Sequence, residues 1–190
     1  MWRRALVLAF LLALGGLSAW LATPDAHRPA GTDFTLQSAA GPVALHDLRG
    51  DVVILYFGYA SCPDVCPTSL ALLGAALQSL TPAELEHVRP LFISVDPERD
   101  TPEKLGPYAA FFDPHIVGVT GDPALLADIG AAYGVTWRKH GVEGNAGYVV
   151  DHTSHTVIIG PDGKVAEVLE HGTAPDLLAA AIRARLPKDP

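Results

Sequence analysis

The chain has 190 residues, 49% of them hydrophobic, and 13 basic against 21 acidic side chains give it a net charge of −8. That acidic surplus provides no electrostatic reason to bind nucleic acid or an anionic lipid surface, so neither is expected as a partner. Only two cysteines occur, four positions apart, which excludes a framework of several disulfides and leaves a redox pair, a metal pair or both.

Met1-Trp2-Arg3-Arg4 gives a short basic start, and residues 5–22 then run without a charged side chain. About 18 apolar residues is near the lower limit for a helix that crosses a bilayer, and the same pattern fits a secretory signal. Trp20 suits an interfacial anchor, and good cleavage-site spacing is lacking, so an uncleaved membrane helix is the preferred expectation. Arg3 and Arg4 place the N-terminus in the cytoplasm and everything after Thr23 outside. Residues 1–22 therefore read as a membrane anchor or signal segment, 23–32 as a Pro- and Gly-rich linker, and 33–187 as one domain. The anchor holds two arginines and no acid, so without it the net charge becomes −10.

Residues 34–48 predict a hairpin turning at Ala39-Ala40-Gly41-Pro42. Residues 51–59 (DVVILYFGY) form an unbroken β-branched and aromatic run, as a strand buried on both faces should. Cys62 and Cys66 follow, ahead of a helical stretch over 68–80. Thr81-Pro82-Ala83-Glu84 has capping-box spacing. Residues 91–95 read as a second buried strand, 101–112 as a helix opened by Thr101-Pro102-Glu103, and 116–120 as a short strand. Asp122-Pro123 caps a helix that closes at Tyr133-Gly134, and a Gly-rich loop spans 141–147. Residues 148–150 lead into Asp151-His152-Thr153, strands over 156–159 and 164–169 flank Gly160-Pro161-Asp162-Gly163, and a last amphipathic helix spans 174–186. Strands alternating with helices, then a hairpin and a final helix, describe an α/β sandwich around a mixed central sheet.

The cysteines lie where a central strand meets a helix, the place where open α/β sheets put their chemistry. A helical turn from Pro63 sets the two thiols one turn apart; Pro67 instead argues for Cys66 as the cap of a helix beginning at Pro67. Either start leaves both sulfurs near a helix N-terminus, which lowers thiol pKa. Three intervening residues exceed the two of the usual reductase motif and leave room for a soft ion, yet still permit a disulfide. A copper site needs a further donor, and histidine suits both copper oxidation states. Of the eight histidines, His27, His46, His87 and His115 stand in linker or surface-like contexts. His152 is expected on a loop at a sheet end, with Asp151 as a possible acceptor for its ring, whereas His155 starts the next strand and is expected to face elsewhere. On pattern alone the ordinary, non-ligating reading of His152 still stands.

Four blocks together resemble the Sco/SenC/PrrC family of copper proteins for cytochrome c oxidase assembly: Ser61-Cys62-Pro63-Asp64-Val65-Cys66-Pro67, the run Ser94 to Thr101, Tyr148-Val149-Val150-Asp151-His152-Thr153, and Gly160-Pro161-Asp162-Gly163. The resemblance covers about residues 34–186, with the blocks in family order. It implies a thioredoxin-like fold with an added N-terminal β-hairpin, preceded by a transmembrane helix. It also implies one copper ion, Cu(I) or Cu(II), held by Cys62, Cys66 and His152. Delivery to the copper A domain of oxidase subunit II follows from it, with another copper chaperone as donor. The expected location is membrane-anchored, facing the periplasm or, in a eukaryote, the mitochondrial intermembrane space. Ser61 stands where the family often has histidine, and Val157 where an aromatic is common. Asp96 to Asp100 match the family but read only as helix-entry structure.

Two other functions fit the same residues. The first is an extracytoplasmic thiol–disulfide oxidoreductase that keeps client cysteines reduced through Cys62 and Cys66. The second is a peroxidase or redox sensor, for which no further motif is visible. A purely structural cysteine pair is the plainest alternative.

Overall fold

Strand β3 (Val52–Gly58) is buried along its whole length, as its unbroken apolar run requires. It pairs in parallel with β4 (Val88–Ser94), which pairs in parallel with β5 (Val117–Thr120). Antiparallel strands complete the sheet on both sides: β1 (Thr35–Ser38) and β2 (Gly41–Ala44) beyond β5, and β8 (Thr156–Ile159) and β9 (Val165–Leu169) beyond β3. The seven strands run in the order β2-β1-β5-β4-β3-β8-β9. The expected mixed sheet and N-terminal hairpin are both present.

This computed structural model describes residues 29–141 and 147–187. The expected anchor over 1–22 and most of the linker over 23–32 lie outside the described residues. Among the described residues no helix is long and apolar enough to cross a membrane.

Helix α1 (Val65–Gln78) follows β3, and the single turn α2 (Pro82–Leu85) begins at the expected capping box, where Thr81 and Glu84 satisfy each other's backbone N–H groups. Helix α3 (Pro102–Phe112) follows β4. Helix α4 (Pro123–Ala132) is capped by Asp122, whose carboxylate accepts from the N–H groups of Ala124 and Leu125 at 2.8 and 3.4 Å. Helix α5 (Pro175–Arg183) closes the chain's described part. Successive β3 side chains point to opposite faces. Tyr56 accordingly stacks on Phe92 and reaches the α1 side, while Phe57 meets Tyr133 at the end of α4. Helices therefore cover both faces.

Two elements were not legible in advance: the 3-10 turn Leu45–Leu48, which follows β2 within the stretch expected to form the hairpin, and a strand after α4. Trp137–Gly141 forms strand β6, paired antiparallel with β7 (Tyr148–His152) in a separate two-stranded sheet. Its sequence, WRKHG, carries no apolar alternation because none of the five residues is buried, and among the described residues its only strand partner is β7. His152 therefore ends a strand, not a loop, and lies opposite Trp137.

Candidate metal centre

The β3–α1 junction is built before any metal is considered. After Gly58, the Ala60 N–H donates to Asp100 Oδ2 at 2.8 Å, and the same oxygen accepts from Ser94 Oγ at 2.6 Å. Asp100 is 2% exposed. A buried carboxylate thus ties the start of the cysteine loop to the end of β4. The Cys62 N–H then donates to the Tyr59 carbonyl at 3.3 Å, closing a turn.

Helix α1 starts at Val65, so neither a start at Pro63 nor one at Pro67 describes it. Cys66 is the second helical residue and Pro67 the third. Proline is accepted there because the first N–H groups of a helix have no intrahelical partner to lose. Cys66 is fully buried, and its N–H donates to Cys62 Sγ at 3.5 Å; Cys62 remains partly exposed, and both are free thiols. Room for the Cys66 sulfur comes from Gly58: a Cβ there would lie 2.7 Å from it.

Folding brings His152 to the cysteines from the other sheet. Its Nε2 lies 3.2 Å from Cys66 Sγ. Its Nδ1 is 2.9 Å from the Thr153 carbonyl, which can only accept, so Nδ1 carries the proton and Nε2 presents its lone pair to the sulfurs. Asp151 does not orient this ring. It pairs with His140 at 2.8 Å on the opposite face of the ribbon, since adjacent strand residues point apart. Tyr56 and Tyr59 meet the imidazole edge to face, at 6.5 and 6.0 Å between centroids. His155 turns away, its Nε2 3.2 Å from the Tyr133 carbonyl.

The two thiols differ in acidity. Burial pushes Cys62 up, but hydrogen bonds from the backbone at Asp64 and Cys66, and from the Cys66 and Tyr59 side chains, outweigh it and hold the thiol below its ordinary value. For Cys66 burial dominates and the charge of Cys62 adds to it, so its pKa rises. The expectation that a helix N-terminus lowers both is therefore wrong for Cys66: desolvation exceeds the local dipole. Burial also draws His152 below the ordinary imidazole range, against the Thr153 carbonyl and Asp151, which favour its protonation. A neutral imidazole, one acidic thiol and one proton-retaining thiol result.

The three ligating atoms of Cys62, Cys66 and His152 all lie within 4.8 Å of one another. That span is close to twice the roughly 2.3 Å of a metal–thiolate bond, so one ion fits between them. Two sulfurs and a nitrogen form a soft donor set, matched to copper and zinc rather than to calcium or magnesium. A cleft lined by Tyr59, Cys62, Asp64, Val150, Asp151 and His152 connects the group to solvent. Sequence reasoning named the three side chains that converge here but missed Gly58, Tyr59 and Asp100, which shape their surroundings. The last was visible only as part of the Ser94-to-Thr101 block.

Comparisons with known proteins agree on one family. The SCO1/SenC family model matches residues 22–187. The SCO2-like protein of Rickettsia conorii is 32% identical over 174 residues, covering 84% of each chain. Among solved structures, apo Sco1 from Thermus thermophilus is 36% identical with a TM-score of 0.75, covering 85% of this chain and 94% of that one. Bradyrhizobium japonicum ScoI with copper bound is 35% identical, also with a TM-score of 0.75, covering 83% of this chain and 99% of that one.

Proposed function

The chain belongs to the SCO1/SenC family, and from that premise we propose that it is a copper metallochaperone that delivers copper to the copper A centre of cytochrome c oxidase during assembly. The observation that carries the reading is the convergence of Cys62, Cys66 and His152 within 4.8 Å. One copper ion is the cargo. The thiolates satisfy Cu(I), and the neutral imidazole adds the nitrogen donor that makes the set acceptable to Cu(II). The copper carried by the Bradyrhizobium relative supports the choice of metal.

The chain's own residues prepare the site. Nδ1 of His152 is held by the Thr153 carbonyl, which keeps Nε2 free for the metal. Cys62, partly exposed and the more acidic thiol, is the first donor an incoming ion meets. Cys66 gives up its proton only as the metal arrives, because its burial disfavours a lone thiolate. Departure follows in reverse, through exchange of ligands with a facing protein across the cleft. We assign that facing protein as the copper A domain of oxidase subunit II, and a second copper chaperone as donor. In this reading residues 33–187 are the copper domain. Residues 1–22 anchor it, Arg3 and Arg4 keep the N-terminus in the cytoplasm, and the site stands on the extracytoplasmic side, near a membrane-bound client.

A second reading draws on a specific observation. A half-exposed acidic thiol beside a buried one of raised pKa is the division of labour of a thiol–disulfide oxidoreductase. His152 separates the two. The full chain, reduced in detergent and given one equivalent of Cu(II), is expected to show thiolate-to-copper absorption and to pass copper to a purified copper A domain. Cys62→Ser and Cys66→Ser should abolish both, and His152→Ala should weaken retention while sparing disulfide exchange. Unchanged copper binding in His152→Ala would remove the third ligand and leave the oxidoreductase reading.

A further inference from the structure

Among the described residues, the sheet that carries His152 shares no strand pairing with the main one, so something other than a backbone ladder must hold it beside the cysteines. Besides the burial of Val150 and its N–H bond to the Tyr59 hydroxyl, a connected set of side-chain contacts comes from the Asp-Pro-Glu-Arg segment after β4. Asp96 is fully buried. One of its oxygens accepts from the Tyr148 hydroxyl at 2.6 Å and lies 3.4 Å from Lys139 Nζ; the other takes the Arg99 Nε–H. Arg99 Nη1 donates to the Tyr148 carbonyl at 2.9 Å, and its guanidinium stacks 3.8 Å from the Tyr148 ring centroid and 5.5 Å from that of Tyr59. Glu98 completes the cluster by pairing with Lys139 at 2.9 Å. Two anions and two cations are thereby matched across the joint between the sheets.

Every partner on the far side belongs to the ribbon that carries His152. Tyr148 begins β7 and His152 ends it, while Lys139 stands opposite Val150 on β6. The Tyr59 hydroxyl, next to the stacked guanidinium, accepts from the Val150 N–H at 3.3 Å, and the Tyr59 ring meets the His152 imidazole. The remaining guanidinium nitrogen, Nη2, is buried without a hydrogen-bond partner among the described residues. Such an arrangement is costly for a helix entry alone, because a buried carboxylate and a buried donor must be desolvated. It is accounted for if the cluster fixes the distance between the ribbon and the β3–α1 junction.

We infer that Asp96 and Arg99 are positioning residues for copper: they latch the β6–β7 ribbon through Tyr148 and so set the approach of His152 Nε2 to the two sulfurs. The inference rests on the proposed ligand set. It divides the site into a sulfur half fixed by the main sheet and a nitrogen half whose placement depends on the latch. Loss of the latch therefore acts on Cu(II), which needs the nitrogen, and much less on Cu(I), which two thiolates satisfy.

The test measures Cu(II) and Cu(I) affinity by competition with chromogenic chelators, with the thiolate-to-copper(II) band and the nitrogen hyperfine coupling as the spectroscopic record. The full chain is compared with Arg99→Ala, Tyr148→Phe, His152→Ala and the Arg99→Ala/His152→Ala double variant. Arg99→Ala should weaken Cu(II) binding about 10- to 100-fold, as loss of groups that orient a metal ligand does, and shift the band toward that of His152→Ala. Tyr148→Phe keeps the ring under the guanidinium and removes only the hydroxyl, with its contacts to Asp96 at 2.6 Å and Glu98 at 3.3 Å. It should lose roughly threefold to tenfold, which keeps the test open if Arg99→Ala does not fold. In the His152→Ala background, Arg99→Ala should cost nothing further for copper. Equal loss in both backgrounds, or loss of Cu(I) and Cu(II) affinity alike, overturns the latch and leaves a structural cluster. If Arg99→Ala and Tyr148→Phe both bind as the parent does while His152→Ala is weakened, the latch alone is wrong. If His152→Ala itself binds normally, the ligand set is wrong and the latch falls with it.

Discussion

Gly58→Ala tests how the sulfur half of the site is made. Glycine at this point of β3 is not explained by a turn, since its φ is ordinary for a strand; it is explained by what stands against it. An added Cβ would lie 2.7 Å from Cys66 Sγ, 3.0 Å from Phe92 Cε2 and 3.4 Å from Tyr56 Cε1. Packed carbon contacts settle near 3.5–4.0 Å, so the sulfur is short by roughly 1 Å. It cannot yield easily, because Cys66 is fully buried in the first turn of α1. Overpacking of this kind costs about 1–3 kcal/mol. In a domain of this size each of those should lower Tm by about 2–4 °C. Displacing a ligand by about 1 Å also exceeds the roughly 0.5 Å tolerance of a preorganised site, so copper affinity should fall as well. Thermal unfolding of the copper-free chain and chelator competition read the two effects separately. Cys66→Ala removes the sulfur, so in that background the same substitution should cost clearly less, with the 3.0 Å approach to Phe92 and an ordinary contact to Tyr56 left. Parental stability and affinity for Gly58→Ala, or an equal penalty with and without the sulfur, would refute this account.

The unequal thiols predict that iodoacetamide labels Cys62 well before Cys66 in the reduced, copper-free chain near neutral pH; peptide mapping that finds Cys66 modified first would contradict the burial argument. Glu84 bonds Arg183 at 2.8 Å and accepts the Thr81 N–H, which together hold its pKa at about 2 against an ordinary 4.5. A folded-state pKa below the unfolded one gives stability that is present above about 4.5 and lost as pH falls toward 2. Glu84→Gln should therefore lose stability at neutral pH and show a shallower decline with acid. Denaturant midpoints measured from pH 6 to 2 check this, and parallel curves for parent and variant would count against it.

The parts of the fold that could be read from sequence are those whose cause is local. The apolar run of β3, the Thr81–Glu84 capping box and the Asp122 cap each announce themselves within a few residues, and each lies where expected. Strand β6 did not, because its five residues are mostly polar and none of them is buried. The three converging side chains of the candidate site were legible through their motif. Their chemistry was less so: the helix-end effect on a thiol is local, while the burial that reverses it for Cys66 comes from strands and rings elsewhere in the chain. Asp96 is the clearest case. Read along the sequence it opens a helix, yet its hydroxyl and ammonium partners, Tyr148 and Lys139, belong to a different sheet.

That division has a physical consequence for how the site tolerates change. Cys62 and Cys66 are placed by the packing of β3, α1 and the Asp100 carboxylate, so whatever moves the sulfurs must disturb the core that supports the whole domain. His152 is placed by side chains bridging two sheets, with the ribbon itself closed by its own β6–β7 ladder. A change at the bridge can shift the nitrogen without opening the core. Stability and both Cu(I) and Cu(II) affinity should therefore fall together for substitutions at Gly58, whereas Tyr148→Phe should lower Tm only by the few degrees of one lost hydrogen bond and weaken copper(II) binding selectively. A Tyr148→Phe variant that loses several degrees of Tm, with its copper(II) affinity intact, would mean that the bridge supports the fold and not the ligand.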